Sequence, residues 1–426
     1  MTMKRRQFIR SLGGVGILTA IGGTASFAMP FTTSGSRVVV IGGGFGGTVC
    51  AKYIRSFSPT TSVTLIEPKK QFFTCPGSNS VIGGLHDMDY ITHSYEALSV
   101  QHGITVMHDT VTSIDGVAKT LTLKNGAPQS YDYLVVSPGI DFSPNVIEGY
   151  DPDDVATPHA WKAGEQTTLL RNQIQAMDDG GTVLIAPPAR PFRAPPAPYE
   201  RASLIANYLL ENKPKSKIVI VDGNDDFAKQ GLFTKGWEKL YPDMIEWVAY
   251  KDHGGITGVD ASAREIITAS GNHFKGQVLN IIPPQMAGEI AISSGLADTT
   301  MWCPVQQDSF ESTHHDNIYV IGDSCQAGDM IKTGHAANTQ GKYCAAAIVA
   351  HITGKPKPDV IFNMTIYSLV GPKYGISLTD VYRLIDNRIS KISHRSSDPS
   401  AKKKTRRKEA QYAAGWYKSI TNDMFN

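Results

Sequence analysis

The chain contains no C-x-x-C, and that absence removes several chemistries at once. Its five cysteines, Cys50, Cys75, Cys303, Cys325 and Cys344, show neither a zinc spacing nor the C-x-x-C-H of a haem site, so no metal is expected. Five is odd, so an oxidising compartment would leave at least one thiol unpaired or otherwise occupied. Charge is scarce: Asp, Glu, Lys and Arg make up 19% of the 426 residues and nearly cancel at a net +2. That balance argues against nucleic acid as a partner. Past residue 28 no run is long and apolar enough to span a bilayer.

What is present begins at the N-terminus. Lys4, Arg5, Arg6, Gln7, Phe8, Ile9 and Arg10 form a basic segment similar to a twin-arginine signal. Residues 13–28 follow without a charge, and Ser26-Phe27-Ala28 has the small-x-small form of a cleavage site. Residues 1–28 are therefore expected to be a signal peptide, and the mature chain periplasmic. Cleavage removes four positive charges and no negative ones, turning the net charge to −2. The roughly 400 residues left suggest two or three domains.

Residues 37–47 are the most informative stretch. An apolar β-branched run, Val38-Val39-Val40-Ile41, leads into G-x-G-x-x-G at Gly42, Gly44 and Gly47. Gly42 permits the turn, Gly44 lets backbone approach a pyrophosphate, and Gly47 lets helix and strand pack closely. A helix over 48–57 then offers its free N–H groups to phosphates. A strand over 62–66 ends at Glu67, placed to accept hydrogen bonds from a ribose.

Further strands are expected over 133–137, 182–186, 217–222, 277–282 and 317–321, with helices near 199–211 and over 339–351. The strand at 182–186 runs into Pro187-Pro188-Ala189-Arg190-Pro191-Phe192-Arg193-Ala194-Pro195-Pro196, where no glycine admits a second pyrophosphate. NAD(P)H is thus not expected to bind. The strand end Gly322-Asp323 resembles the second FAD motif of two-dinucleotide-domain flavoproteins, and with Ser137-Pro138-Gly139 at an earlier strand end this resemblance implies FAD rather than NAD, with Pro138, Gly139, Gly322 and Asp323 as contacts. The expected fold is α/β: two Rossmann-like dinucleotide-binding domains and a small C-terminal α+β domain. The FAD domain is discontinuous, over 36–155 and 296–355, around a second domain over 156–295; residues 356–426 form the third, facing the flavin.

Several segments are more particular. His159 to Thr167, Pro198 to Ser203, Lys235 to Tyr241, Trp302-Cys303-Pro304-Val305 and Tyr374-Gly375-Ile376-Ser377 resemble the flavoprotein subunit of flavocytochrome c sulfide dehydrogenase. Sulfide:quinone oxidoreductases are more distant relatives of the same fold. The resemblance runs from about residue 36 to the C-terminus. It implies FAD, a second domain without a nicotinamide site, a small reduced sulfur compound as electron donor, and a c-type cytochrome subunit as acceptor. Phe72-Phe73-Thr74-Cys75 with Ser78-Asn79 matches the segment whose cysteine forms a thioether to the flavin 8α-methyl, which makes Cys75 the attachment point. The family's redox cysteine pair is missing: Ala194 follows Pro191-Phe192-Arg193, and Ile366 precedes Tyr367-Ser368. Neither side chain can attack or carry sulfur. Two functions stay open, an enzyme and a non-catalytic electron-transfer or assembly module for a cytochrome.

Four other residues are candidates near the flavin. Cys325 lies two residues past Asp323 and is a substitute thiol or a buried packing residue. Lys332 and His335 lie at the start of the long helix with Gln340 beyond them, and His335 could shuttle a proton. Glu200 is a proton acceptor at the substrate face or a partner of Arg201. The basic run 402–408 reads as a solvated loop, or else as a docking surface for an acidic cytochrome or membrane.

Overall fold

The computed structural model describes residues 35–359 and 361–426, so the expected signal peptide lies outside the described residues. The first sheet is built around β1 (Arg37–Ile41), flanked by β2 (Ser62–Ile66), β3 (Thr105–Met107) and β4 (Tyr133–Val136). β1 is paired on both sides, which is why its side chains from Val38 to Ile41 are all apolar and buried. Between β1 and β2 runs α1 (Gly47–Phe57).

A second sheet is inserted after this unit. It contains β5 (Thr182–Ala186), α2 (Ala197–Asn212), β6 (Lys217–Val221), α3 (Gln230–Leu240), β7 (Ile245–Val248) and β8 (Val278–Ile281). The order is β7-β6-β5-β8 and every pairing is parallel. The chain then returns to the first sheet: β9 (Ile318–Val320) pairs parallel with β4, giving the order β9-β4-β1-β2-β3. The first Rossmann unit is thus discontinuous in sequence and continuous in space.

Helix α4 (Gly334–Thr353) starts five residues earlier than the expected 339, because the Thr333 hydroxyl accepts from the Ala336 N–H at 3.1 Å and caps it. α4 crosses α1 closely. A Cβ on Gly341 would stand 2.5 Å from the Gly46 carbonyl oxygen, so only glycine fits there.

The C-terminal unit is an antiparallel sheet, β10 (Ile361–Gly371), β11 (Tyr374–Ile385) and β12 (Arg388–Ser396), covered by α5 (Lys403–Phe425). Asp423 on α5 ties this unit back to the first. Its carboxylate takes Lys342 at 2.7 Å, Asn338 at 2.9 Å and the Tyr53 hydroxyl at 3.1 Å. The basic run corrects one expectation. It is the first two turns of α5, not a loop, because Arg406 is buried, ion-paired to Glu409 at 2.8 Å and set 5.4 Å from the Tyr374 ring. Residues 402–404 and 407–408 stay exposed.

Gly341→Leu is expected to destabilise the protein by about 2 kcal/mol or more, since the α1–α4 crossing has no room for the side chain. Chemical denaturation of the purified variant checks it, and an unchanged midpoint would contradict the crossing.

Candidate active site

The glycine turn has the geometry its sequence requires. Gly42 sits at φ +96°, its N–H bonded to the Ile66 carbonyl at 2.9 Å, and a Cβ there would lie 2.3 Å from the Ser137 oxygen. A Cβ on Gly47 would lie 1.9 Å from the Gly42 oxygen, while in front of Gly44 nothing stands nearer than the Phe72 ring at 3.8 Å. Glu67 accepts from the Gly43 N–H at 2.9 Å and the Lys69 N–H at 3.0 Å, which fixes its carboxylate beside the turn.

Across the sheet, Pro138-Gly139 and Gly322-Asp323 end β4 and β9. The Gly322 N–H donates to Gln340 Oε1 at 2.7 Å, and in front of Gly139 there is open space. Asp323 Oδ1 is buried without a hydrogen-bond partner, and so are Gln285 Nε2 and Trp161 Nε1. All three residues surround Arg193. Its guanidinium lies 3.8 Å from Asp323 Oδ2 and donates to the Trp161 carbonyl, and its backbone N–H donates to Gln285 Oε1 at 2.9 Å. Leaving buried polar atoms unmet costs about 1–3 kcal/mol each. Three such atoms around one arginine, beside a strand end with free space, fit a polar ligand with both donors and acceptors. Burial raises the Asp323 carboxyl, and Arg193 and Lys332 pull it back.

Next to this cluster is a cavity of about 1160 Å³, counting its solvent-facing mouth. The second domain lends it Arg193, Ala194 and Glu200, the start of α4 lends Thr333 to His335, and β10 lends 365–369. α5 closes it with Trp416 and Tyr417. Cys75 lines the same wall, its Sγ 3.4 Å from the Trp161 carbonyl oxygen. The other four cysteines are buried and Cys75 is only half so.

Ala194 and Ile366, far apart in sequence, meet at this one cavity. Glu200 is there too, accepting from the Leu369 N–H at 2.8 Å and Asn79 Nδ2 at 2.9 Å. Its suggested pairing with Arg201 is not formed; that guanidinium instead donates to Asn79 Oδ1 at 3.1 Å, Asn280 Oδ1 at 2.7 Å and the carbonyls of His159 and Ala160. His335 Nδ1 lies 3.0 Å from the Thr365 backbone nitrogen and 3.4 Å from its carbonyl oxygen, and burial lowers the imidazole while the Thr365 backbone bond opposes it.

Two expected neighbours of the cavity are not among its lining residues. Cys325 is buried, its Sγ donates to the Gly322 carbonyl at 3.3 Å, and burial pushes the thiol up to about 12. A thiol so held is a packing residue beside Cys303, its register partner, and no substitute for the missing pair. Lys332 donates to the Cys325 carbonyl at 2.8 Å and lies 3.9 Å from the Trp302 ring, while its own carbonyl holds the Ala194 N–H at 2.8 Å. It positions the Ala194 loop.

Comparison with known proteins agrees with this geometry. Residues 167–283 match the central-domain model of the sulfide dehydrogenase (flavocytochrome c) flavoprotein chain, and 358–425 match the flavin-binding model of the same enzyme. The sulfide dehydrogenase flavoprotein chain of Chlorobaculum thiosulfatiphilum is 64% identical over 45 residues, which are 94% of that short sequence and 11% of this chain. The chain belongs to this family. It is thereby placed among FAD-dependent sulfide oxidoreductases. Residues 36–175 also match the broader pyridine nucleotide-disulphide oxidoreductase model. Mitochondrial sulfide:quinone oxidoreductase of Dictyostelium discoideum is 22% identical over 337 residues, covering 75% of this chain and 72% of that one. The Aquifex aeolicus sulfide:quinone oxidoreductase structure superposes with a TM-score of 0.72 at 18% identity, over 91% of this chain and 92% of that one, and shows the same fold.

Sequence reading missed Arg193, Gln285 and the α5 pair Trp416 and Tyr417 as site residues. Arg193 had a signal, since it stands beside Ala194 in the proline-rich loop. The others had none, because nothing local says where α5 docks or that Gln285 meets the Arg193 loop.

The second sheet repeats the topology of the first with a different outcome at the acidic position. Asp222, just past β6, accepts from the Tyr199 hydroxyl at 2.5 Å, Trp247 Nε1 at 2.8 Å and the Asn224 backbone and side chain. The Tyr199 and Phe227 rings stack at 3.7 Å in the space beside it. A carboxylate so engaged has nothing to offer a ribose. Stoichiometric NADH under anaerobic conditions is therefore expected to leave the flavin oxidised, and rapid bleaching at 450 nm or thereabouts, roughly where oxidised flavins absorb, would contradict this.

Proposed function

We propose that the protein is a periplasmic FAD-dependent dehydrogenase that passes electrons from sulfide, or another small reduced sulfur compound, to a c-type cytochrome. The observation that carries this reading is the meeting of Cys75, Glu200, His335, Ala194 and Ile366 at one cavity beside the unmet Asp323. The periplasm follows from the signal-like residues 4–28 and the cytochrome from the family, whose name couples flavoprotein and cytochrome.

FAD, when bound, supplies an acceptor for two electrons that can be handed on one at a time. The residues present divide the work of holding it. Gly42, Gly44, Gly47 and the N-terminus of α1 would hold the pyrophosphate, and Glu67 the adenosine ribose. Pro138, Gly139, Gly322 and Asp323, with Arg193, form the polar seat between the sheets. Cys75 is the attachment point for a thioether, which retains a cofactor where no replacement is at hand. The α4 N-terminus, with Thr333, Gly334 and His335 at the cavity, favours negative charge there. Glu200 is the proton acceptor. His335 is anchored through Nδ1 to the Thr365 backbone and stands at the cavity beside Glu200 as a second group that can exchange a proton.

The unreactive Ala194 and Ile366 favour a second reading, a non-catalytic electron-transfer or assembly module for the cytochrome. Steady-state turnover separates the two, because a module gives none with any sulfur donor.

Acid precipitation is expected to leave the yellow colour in the protein pellet, whereas flavin released into the supernatant would remove Cys75 as attachment point. For the missing pair, substrate held by non-covalent contacts alone lacks the route that splits one hard step into two. Ala194→Cys combined with Ile366→Cys is expected to raise sulfide-dependent cytochrome c reduction several-fold. High wild-type turnover on sulfide that thiol alkylation does not touch would show that loss of the pair costs nothing.

A further inference from the structure

The segment that carries Cys75 is held by parts of the chain far from it in sequence. Cys75 Sγ donates to the Trp161 carbonyl at 3.4 Å, and Asn79 Nδ2 donates to the Ala197 carbonyl at 3.1 Å and to Glu200 at 2.9 Å. These bonds tie it to the second domain. On its other side stands Tyr417 of α5. The Tyr417 hydroxyl lies 2.6 Å from the hydroxyl of Thr74, the residue before Cys75, and 343 positions separate the two. It also donates to the Tyr90 carbonyl at 2.9 Å and lies 3.2 Å from His93 Nε2. The Tyr417 ring stacks on that of Tyr90 at 4.6 Å, and a Cβ on Gly77, at φ +89°, would come 3.3 Å from Tyr417 Cε2.

Packing alone does not call for this contact. Thr74 and Tyr417 are both buried, and two apolar groups of the same shape can fill such a place at little or no cost. A bond between two hydroxyls adds direction, which apolar contact lacks. Burial raises the Tyr417 phenol more than the Thr74 hydroxyl lowers it, so it stays protonated and keeps its donor. Thr74 is fixed a second time by its backbone N–H, which donates to the Ile91 carbonyl at 2.9 Å. Cys75 therefore follows a residue held through both its backbone and its side chain.

We propose that Tyr417 is a positioning residue for covalent attachment of the flavin: by fixing Thr74 it sets the direction of the Cys75 side chain, so the thioether forms only after α5 has docked. This rests on Cys75 as the attachment point. In the step, the Cys75 S–H bond and one C–H bond of the flavin 8α-methyl break, and an S–C bond forms. The two electrons released pass with both protons to the flavin ring, from which the cytochrome acceptor later removes the electrons. Tyr417 gives up no proton and acts only through Thr74. Attack of this kind needs reacting atoms about 3–3.5 Å apart, and a misplacement of about 1 Å can cost a hundredfold in rate. Attachment that waits for α5 marks only chains in which the first unit, the second domain and α5 have come together.

The test follows attachment in the full chain with Tyr417→Phe, Thr74→Val and Thr74→Ser. Samples taken at intervals after a short induction are run in denaturing gels, where flavin fluorescence per protein gives the rate of attachment without any turnover. Total flavin in the native protein and its Tm are measured alongside. Tyr417→Phe and Thr74→Val are expected to bind flavin to the wild-type extent but to attach it about tenfold more slowly. Thr74→Ser is expected to keep the wild-type rate. Attachment at that rate in both variants that lose a hydroxyl overturns the role of Tyr417. So does a loss of total flavin and Tm that matches the loss of attached flavin, because that is a folding defect alone. Should Tyr417→Phe fail to fold, Thr74→Val decides by the same measurement. Attached flavin missing from the wild type, or persisting in Cys75→Ser, overturns the reading of Cys75, and the role of Tyr417 with it.

Discussion

One buried guanidinium holds the site together. Arg201 projects from α2 into a space with no carboxylate in hydrogen-bond contact, and burial lowers it to about 9. It remains there because Asn79 of the first unit, Asn280 at β8 and the carbonyls of His159 and Ala160 surround it with oxygen. Hydrogen bonds to a charged group are worth about 1.5–3 kcal/mol each, enough together to offset its desolvation. Those contacts bring the Cys75 segment, the 159–161 segment and the second sheet to one point. Trp161, which forms a ring contact with Arg201 at 5.2 Å, also presents the carbonyl that Cys75 and Arg193 share.

The two parallel sheets show how one topology yields different sites. Beside β2, Glu67 keeps its carboxylate on backbone N–H groups at a glycine turn open enough for a dinucleotide. Beside β6, Asp222 is walled in by Tyr199, Trp247 and Asn224, and the loop after β5 carries prolines in place of glycines. An acid at the right position is therefore not sufficient; its lone pairs must be unengaged and the facing loop must let backbone approach.

The cysteines sort by environment. Cys50, Cys303, Cys325 and Cys344 are buried thiols, and only Cys75 reaches the cavity. Ala194 and Ile366 face the same space, with Glu200 and His335 on its wall and the start of α4 beside them.

Much of this was legible beforehand. The alternation of apolar strands with amphipathic helices, the glycine spacing after β1 and the Gly322-Asp323 strand end are local signals, because turns, caps and close backbone approach are decided within a few residues. They were enough for the α/β fold, the discontinuous first unit and the geometry of the glycine turn, and the proline-rich loop with Ala194 in it was equally plain. What chain order could not carry was contact between distant segments. That Arg201 bonds to Asn79 rather than Glu200, that Cys325 is sealed off, and that a basic run becomes helix through Arg406 and Tyr374 were all decided by tertiary packing. Burial sets which polar groups must find partners, and only the assembled fold determines which partners lie within reach.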